Sequence, residues 1–484
     1  MTAAGTNPDA DSFVPWKEFL TSAHAPPLAL VCLAVWLHAA DSLIVATMLP
    51  SIVSEVGGAG VVSWSVSLYE IASVVAGAAS ALLTVRHGLR APMSLAAALF
   101  GFGCLLSAAS PNMALILAGR CLQGLGGGGL VSMSFVAVGV MFPRRYTARA
   151  LAMVSAFWGI SAFLGPLIGG FFVEYATWRW GFGFFALQAF GLAAWIALRP
   201  DLPAPQGQGA GSFPVRRLAL LFLAVLLVST GGIEVGALQT PVLVAAGLLC
   251  LAVFLQLDGR AAADRLLPNR PFSLRNTTGA AFVMILSLSM ATIALTAFGP
   301  LLVTAIHGVS ALTAGFLAAC SSIGWTIAAV LVSGSPERLD RRMIGAGITL
   351  VVLSIAGFVY AIPNGPVWLI AVFAAMDGAG FGMAWTFILR RTTSLADPAE
   401  VQRISAAMPT VQRLGYALGA AYTGIAANAA GFVSAATPAA AADAGRWIFL
   451  SCLPFGLLAL AAMIAVVRSG PDSQGMPAAR EPSR

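Results

Sequence analysis

Charge is what this chain has least of. Asp, Glu, Lys and Arg make up 9% of its 484 residues, where about 25% is usual for a soluble protein. Hydrophobic residues make up 59%, and mean hydropathy is +0.88. A water-soluble fold could not hide that much apolar surface, so lipid must cover most of the outside. Other absences narrow the chemistry. The six cysteines, at 32, 104, 121, 250, 320 and 452, all fall in apolar runs without metal-ligand spacing. They read as small packing residues. The glycines of Gly126–Gly129 lie inside an apolar run and not after a strand, so they are no phosphate cradle. No metal-ligand cluster or catalytic constellation is visible. The chain is therefore expected to be no enzyme, to need no cofactor and to draw on an ion gradient. The first 27 residues are polar and end in Pro26-Pro27, so no cleavable signal peptide is expected. The net charge of +7 comes mainly from arginines scattered singly and in pairs between apolar runs. They read as topology signals and not as a nucleic-acid surface.

What is present is a succession of apolar runs. A spanning helix needs about 20 such residues. Fourteen stretches qualify: 28–50, 62–85, 91–109, 113–142, 150–173, 178–198, 217–235, 241–257, 276–303, 311–334, 343–361, 366–389, 404–430 and 446–467. The seventh and eighth are the shortest pair, parted only by Gly236 to Thr240. Arginines crowd alternate loops: Arg86 and Arg90; Arg144, Arg145 and Arg149; Arg199, Arg216 and Arg217; Arg260 to Arg275; Arg338, Arg341 and Arg342; Arg390, Arg391 and Arg403; Arg468. The opposite loops hold only Arg179 and Arg446. That asymmetry predicts an all-α polytopic membrane protein with both termini in the cytoplasm. Removing both weak spans would preserve the alternation, so charge alone does not separate fourteen spans from twelve.

Several motifs carry a family resemblance. Gly159-Ile-Ser-Ala-Phe-Leu-Gly165-Pro166-Leu-Ile-Gly169-Gly170 lies late in the fifth run. Gly165 and Gly169 share a helix face and are expected to permit close contact with a helix of the other half, while Pro166 removes a donor and bends the helix. The stretch resembles the antiporter signature of the major facilitator superfamily, G-x-x-x-G-P-x-x-G-G. Asp41-Ser42-Leu-Ile-Val-Ala-Thr-Met48-Leu-Pro50, Trp64-Ser-Val-Ser-Leu-Tyr69 and Arg120-Cys-Leu-Gln123-Gly124-Leu-Gly126 are similar to motifs of spans 1, 2 and 4 in its fourteen-span drug:proton antiporter branch. The loops Val85-Arg86-His87-Gly88-Leu89-Arg90 and Glu337-Arg338-Leu339-Asp340-Arg341-Arg342 resemble two copies of its cytoplasmic G-x-x-x-D-R-x-G-R-R/K motif. The first copy has Val85 in place of the acid and Ala81 in place of the leading glycine. The second keeps Glu337 but has Asp340 where glycine is usual. The resemblance implies a 1–27 cytoplasmic tail, a six-helix bundle over 28–198, linkers and two inserted helices over 199–275, a second six-helix bundle over 276–467 and a 468–484 cytoplasmic tail.

Ionisable residues at membrane depth are costly and usually functional. Asp41 precedes Pro50 by nine residues, Glu70 follows Val62 by eight and Arg120 follows Met113 by seven. At 1.5 Å per residue these depths match, at roughly 10–14 Å below the outer face. Arg120 is thus expected to meet both carboxylates. A carboxylate beside an arginine keeps its proton off, and separation with desolvation loads one. A permanent structural ion pair is the alternative for each. His38 shares a helix face with Asp41 and is a cavity candidate or a hydrogen-bonded helix contact. Gln123, Asp377, Trp158 and Trp385 are further cavity candidates, with Phe157, Trp325 and Phe381. Asp377 is expected near mid-membrane, as a cavity-facing acid for a cation or proton or as part of a packing seam with Gly378, Gly380 and Gly382. Arg413 is expected to meet a carbonyl or acid near the cytoplasmic side. Gly159, Gly165, Pro166, Gly169, Gly170, Arg86, Arg90, Glu337, Arg338 and Arg341 are expected to act in packing or conformational change.

The resemblance implies secondary active transport: proton-coupled efflux of small lipophilic or cationic compounds by alternating access. A proton-coupled carrier or importer of a single metabolite, or a transport-inactive membrane sensor or scaffold, remain alternatives. Expected partners are the small-molecule substrate, protons and the lipid bilayer, with no nucleic acid and a monomeric state. The expected location is a bacterial cytoplasmic (inner) membrane.

Overall fold

In a hydrocarbon interior no water satisfies a backbone N–H or C=O, so an apolar run of spanning length is driven into a helix. The computed structural model describes Lys17 and residues 24–199, 214–261, 265–332, 335, 337–435 and 437–468. Most of the two expected tails and of the 200–213 linker lies outside the described residues. So do the side chains of Ala81, Val85, Arg144, Arg145, Arg149 and Glu337.

The described residues form fourteen long helices: α1 (Ala25–Val56), α2 (Trp64–His87), α3 (Arg90–Ala108), α4 (Met113–Met141), α5 (Arg144–Tyr175), α6 (Trp178–Ala197), α7 (Val215–Thr230), α8 (Gln239–Arg260), α9 (Thr277–His307), α10 (Ala311–Val332), α11 (Asp340–Asn364), α12 (Val367–Ser394), α13 (Pro398–Ala429) and α14 (Pro438–Arg468). Among the described residues, twelve stretches are long and apolar enough to cross a membrane. The helices without such a stretch are α7 and α13. α7 has 16 residues, about 24 Å of helix, against a hydrocarbon core of about 30 Å. It ends at Thr230 and not at the expected 235. α13 carries Gln412 and Arg413 inside its apolar run, with Glu400 and Arg403 just before it.

The helices pack in two groups that repeat one arrangement. α1 lies on α5, and α9 on α13. α4 packs on α2 and α3, as α12 does on α10 and α11. α3 meets α6, as α11 meets α14. Glycines let these backbones approach. A Cβ at Gly124, Gly126 or Gly128 would strike backbone atoms of Tyr69, Phe100 or Ser73, and one at Gly378 or Gly382 would strike those of Ser321 or Trp325. The Gly126–Gly129 run is therefore a packing surface used on two sides.

Two seams join the groups: α5 on α10, and α2 on α13. The repeat relates one seam to the other. α1 also touches α9 and α10. α7 packs on both α2 and α13, beside their seam, and α8 packs on α7. In α8 only Gly247, Phe254 and Asp258 are buried, so most of its surface is free for lipid. Arg217 of α7 pairs with Asp258 of α8 at 2.7 Å, and Asp258 also accepts the N–H groups of Leu266 and Leu267. That cluster ties the hairpin to the segment leading into α9.

Candidate functional site

The polar centre of the first group is built on Arg120. Its side chain is 2% exposed. One guanidinium nitrogen donates to Asp41 Oδ2 at 2.5 Å and to Gln123 Oε1 at 2.6 Å. Nε donates to the Ser65 carbonyl at 3.2 Å. The guanidinium carbon lies 4.0 Å from the centroid of the Tyr69 ring. Gln123 donates onward to Ser107 at 3.1 Å. α1, α2, α3 and α4 are thus tied through one cation. Such a pair is costly to break, since an uncompensated buried charge destabilises by about 3–5 kcal/mol. Asp41 Oδ1 is nevertheless buried without a hydrogen-bond partner among the described residues.

His38 sits one turn from Asp41. Tyr69 Oη lies 2.8 Å from His38 Nδ1 and donates to the His38 carbonyl at 3.0 Å. The two rings stack at 5.3 Å. Trp158 of α5 meets the His38 ring edge-on at 5.9 Å and is itself 37% exposed. A polar chain therefore runs from Ser107 through Gln123 to the Arg120–Asp41 pair. Arg120 then meets the Tyr69 ring, and Tyr69 meets His38, which touches the exposed Trp158.

The structure places three expected residues differently. Glu70 does not share Arg120 with Asp41. Its ion pair is with Arg413 Nη1 of α13, at 3.2 Å across the seam. Arg413 does meet an acid, as expected, and does so at the seam, midway along α13. The reason is helical phase: Tyr69, the neighbour of Glu70, occupies the face over Arg120, which turns Glu70 roughly 100° away. Gly165 and Gly169 meet α1 of their own group, at Ala40, Leu43, Ile44 and Thr47. The cross-group contacts come from another face of α5. Gly159 lies against Thr326, Phe163 against Phe316 at 5.6 Å, and Gly170 against Leu312. Asp377 lies inside the second group, 4% exposed, and Trp385 is half-buried against Trp325 and Phe381. Phe157 is half-buried.

In the second loop motif the ion pair comes from the departure. Asp340, which stands where glycine is usual, accepts from Arg390 of α12, and Arg390 also donates to the Ser335 carbonyl. Arg338 and Arg341 are exposed, as are Arg86 and Arg90 of the first loop. Asn428 was not singled out by sequence. Its Nδ2 donates to the carbonyls of Gly60 at 2.7 Å and Gly232 at 2.5 Å. It thereby joins α13, the α1–α2 turn and the end of α7. Nearby, Trp64 Nε1 donates to the Ser229 carbonyl at 3.1 Å. A lone amide near the end of an apolar run was the only sequence signal. No group of three or more His, Cys, Asp or Glu placed to hold a metal occurs among the described residues.

The sequence profile of the Major Facilitator Superfamily matches residues 31–420. The chain belongs to this superfamily. A protein of Mycobacterium tuberculosis (strain H37Rv) named as a "probable multidrug-efflux transporter" is 31% identical over 432 residues, covering 86% of this chain and 90% of that protein. Among solved structures, a D-xylose-proton symporter aligns with a TM-score of 0.66 at 13% identity, over 94% of this chain and 100% of that one. A bacterial homologue of the human lysosomal transporter Spinster, inward-facing and occupied, aligns with a TM-score of 0.64 at 14% identity, over 94% and 99%. Those two likenesses establish the fold. This superfamily member is a transporter and not an enzyme.

Proposed function

We propose that the chain is a proton-driven exporter of small lipophilic or cationic compounds, working by alternating access in a bacterial cytoplasmic membrane. The observation that carries this reading is the buried Asp41–Arg120 pair. A carboxylate beside an arginine keeps its proton off, and separation of the two in a desolvated site loads one. His38 and Trp158 stand between that pair and the exposed face of α5, where an aromatic wall suits a flat cation. The efflux name of the mycobacterial relative supports export over import. The arginine-rich loops support both termini lying in the cytoplasm. Fourteen crossings, with α7 and α8 as an inserted hairpin in the manner of the fourteen-span drug:proton antiporters, are supported by the packing of α8 on α7 and of α7 on α2 and α13.

With that topology, the α1–α2 turn is outside. The contacts Gly60–Asn428, Glu70–Arg413 and Gly170–Leu312 then seal the outer half, and the conformation is closed to the outside. Proteoliposome transport tests the assignment. Asp41→Asn and Arg120→Ala are each expected to abolish substrate movement driven by a proton gradient, with the protein still inserted. Normal export by either variant would sink it.

A further inference from the structure

Asp377 is a buried acid of a different kind from Asp41. Its side chain lies between α10 and α11, 4% exposed. No cation pairs with it among the described residues. Ser321 Oγ donates to Oδ2 at 3.2 Å, and Ser354 Oγ lies 3.3 Å from Oδ1. A bare carboxylate in such a place is expensive, because neutral hydroxyls do not replace its hydration.

Hydrogen bookkeeping decides how the acid is held. A serine hydroxyl has one hydrogen. Ser354 Oγ already lies 2.7 Å from the Val351 carbonyl, which can only accept. The Ser354 hydrogen is directed mainly to that shorter bond, so its 3.3 Å contact with Asp377 Oδ1 gives a carboxylate little. One hydroxyl at 3.2 Å and a shared one at 3.3 Å leave a charged Asp377 far short of the hydration it gave up, and a neutral acid sits there at less cost.

The neighbours agree. α10 offers no titratable side chain except Cys320. α11 offers only Asp340, Arg341 and Arg342 at its start and the exposed Tyr360. α9 offers only His307 at its end. On α13, Arg413 faces Glu70, and Tyr416 lies within electrostatic reach of both Glu70 and Asp377. None supplies a counter-charge.

We propose that Asp377 is a proton-binding site of the second helix group, separate from the Asp41–Arg120 pair and occupied by a proton in this conformation. The site is wired to the seam. Ser321 lies on α10 between Phe316 and Thr326, which touch Phe163 and Gly159 of α5. A movement of α10 that parts the seam also acts on the Ser321–Asp377 bond. Use of the site in transport rests on the proton-driven reading above, whereas its occupancy does not.

Infrared spectroscopy of the purified full chain in lipid nanodiscs tests occupancy. The wild type is expected to show a protonated-carboxyl C=O band at neutral pH that Asp377→Asn lacks. Ser354→Ala keeps the acid but removes one of its two hydroxyl contacts. It is expected to shift the band and to leave it present at neutral pH. Added sodium at fixed pH is expected to leave the band alone. An unchanged spectrum in Asp377→Asn, or loss of the band on adding sodium, would overturn the proposal. The reversal potential of transport in proteoliposomes tests use separately. Asp377→Asn is expected to lower the number of protons moved per substrate. An unchanged ratio would overturn the transport role and leave the spectral result to stand or fall alone.

Discussion

The two seams are related by the repeat but held by different forces. The α2–α13 seam is polar: Glu70 pairs with Arg413, and Asn428 bridges two carbonyls. The α5–α10 seam is largely a matter of shape: Gly159 on Thr326, Phe163 on Phe316, Gly170 on Leu312. A charge pair across moving bodies can be switched by protonation, because losing one charge leaves the other uncompensated. An apolar seam responds only to volume. Under the alternating access proposed above, the two seams would serve as a switchable contact and a pivot. The Asp41–Arg120 pair lies within one group, so its proposed exchange of arginine for a proton depends on a change inside that group and not on the parting of a seam.

The largest effect is expected at the polar seam. Glu70→Ala leaves Arg413 facing an empty site, at about 3–5 kcal/mol if the arginine stays buried. The outer half should open, and a cysteine probe at Ser63 should become accessible to a membrane-impermeant thiol reagent. Glu70→Gln combined with Arg413→Gln should recover much of the closure. Equal accessibility in the single and double variants would remove the idea of a switch.

The apolar seam should respond to bulk. Gly170→Leu drives a side chain into Leu312, and overpacking costs about 1–3 kcal/mol, roughly 5- to 150-fold in a two-state equilibrium. Gly165→Leu collides with α1 inside one group. It is expected to lower thermal stability without opening the seam. The contrast is measured as melting temperature against outer accessibility. If both variants open the outer half alike, the two faces of α5 are not distinct.

The smallest effect is expected from Asn428→Leu, which removes two hydrogen bonds worth about 0.5–1.5 kcal/mol each. A modest rise in outer accessibility should follow, and also a looser α7–α8 hairpin by hydrogen exchange at residues 226–236. A reporter fused at Gly236 sharpens the same point. It should lie outside, opposite one fused beside Arg216, if the hairpin crosses the membrane.

Much of this was legible in advance because membrane helices announce themselves by length and apolarity. The observed helices lie within a few residues of most of the expected runs. α7 departed because its apolar composition runs on past Thr230 while the backbone turns at Gly231 and Gly232 to meet Thr240 and Ile425. The Asp41–Arg120 pair was readable from matched depth. Its neighbours were not, because depth fixes height along a helix but not direction around it. Tyr69 and Glu70 are adjacent in sequence, yet one covers Arg120 and the other crosses to α13.

The sequence by itself determined that this chain lives in lipid, that its helices alternate with arginine-rich loops, and that few charges enter the membrane. Those facts follow from transfer energies, which act residue by residue. Only the tertiary structure decided which acid meets which cation, which face of α5 seals the seam, and why Asp377 has serines for company. Those outcomes depend on helix rotation and on close approach at glycines, and an apolar run specifies neither until its neighbours are in place.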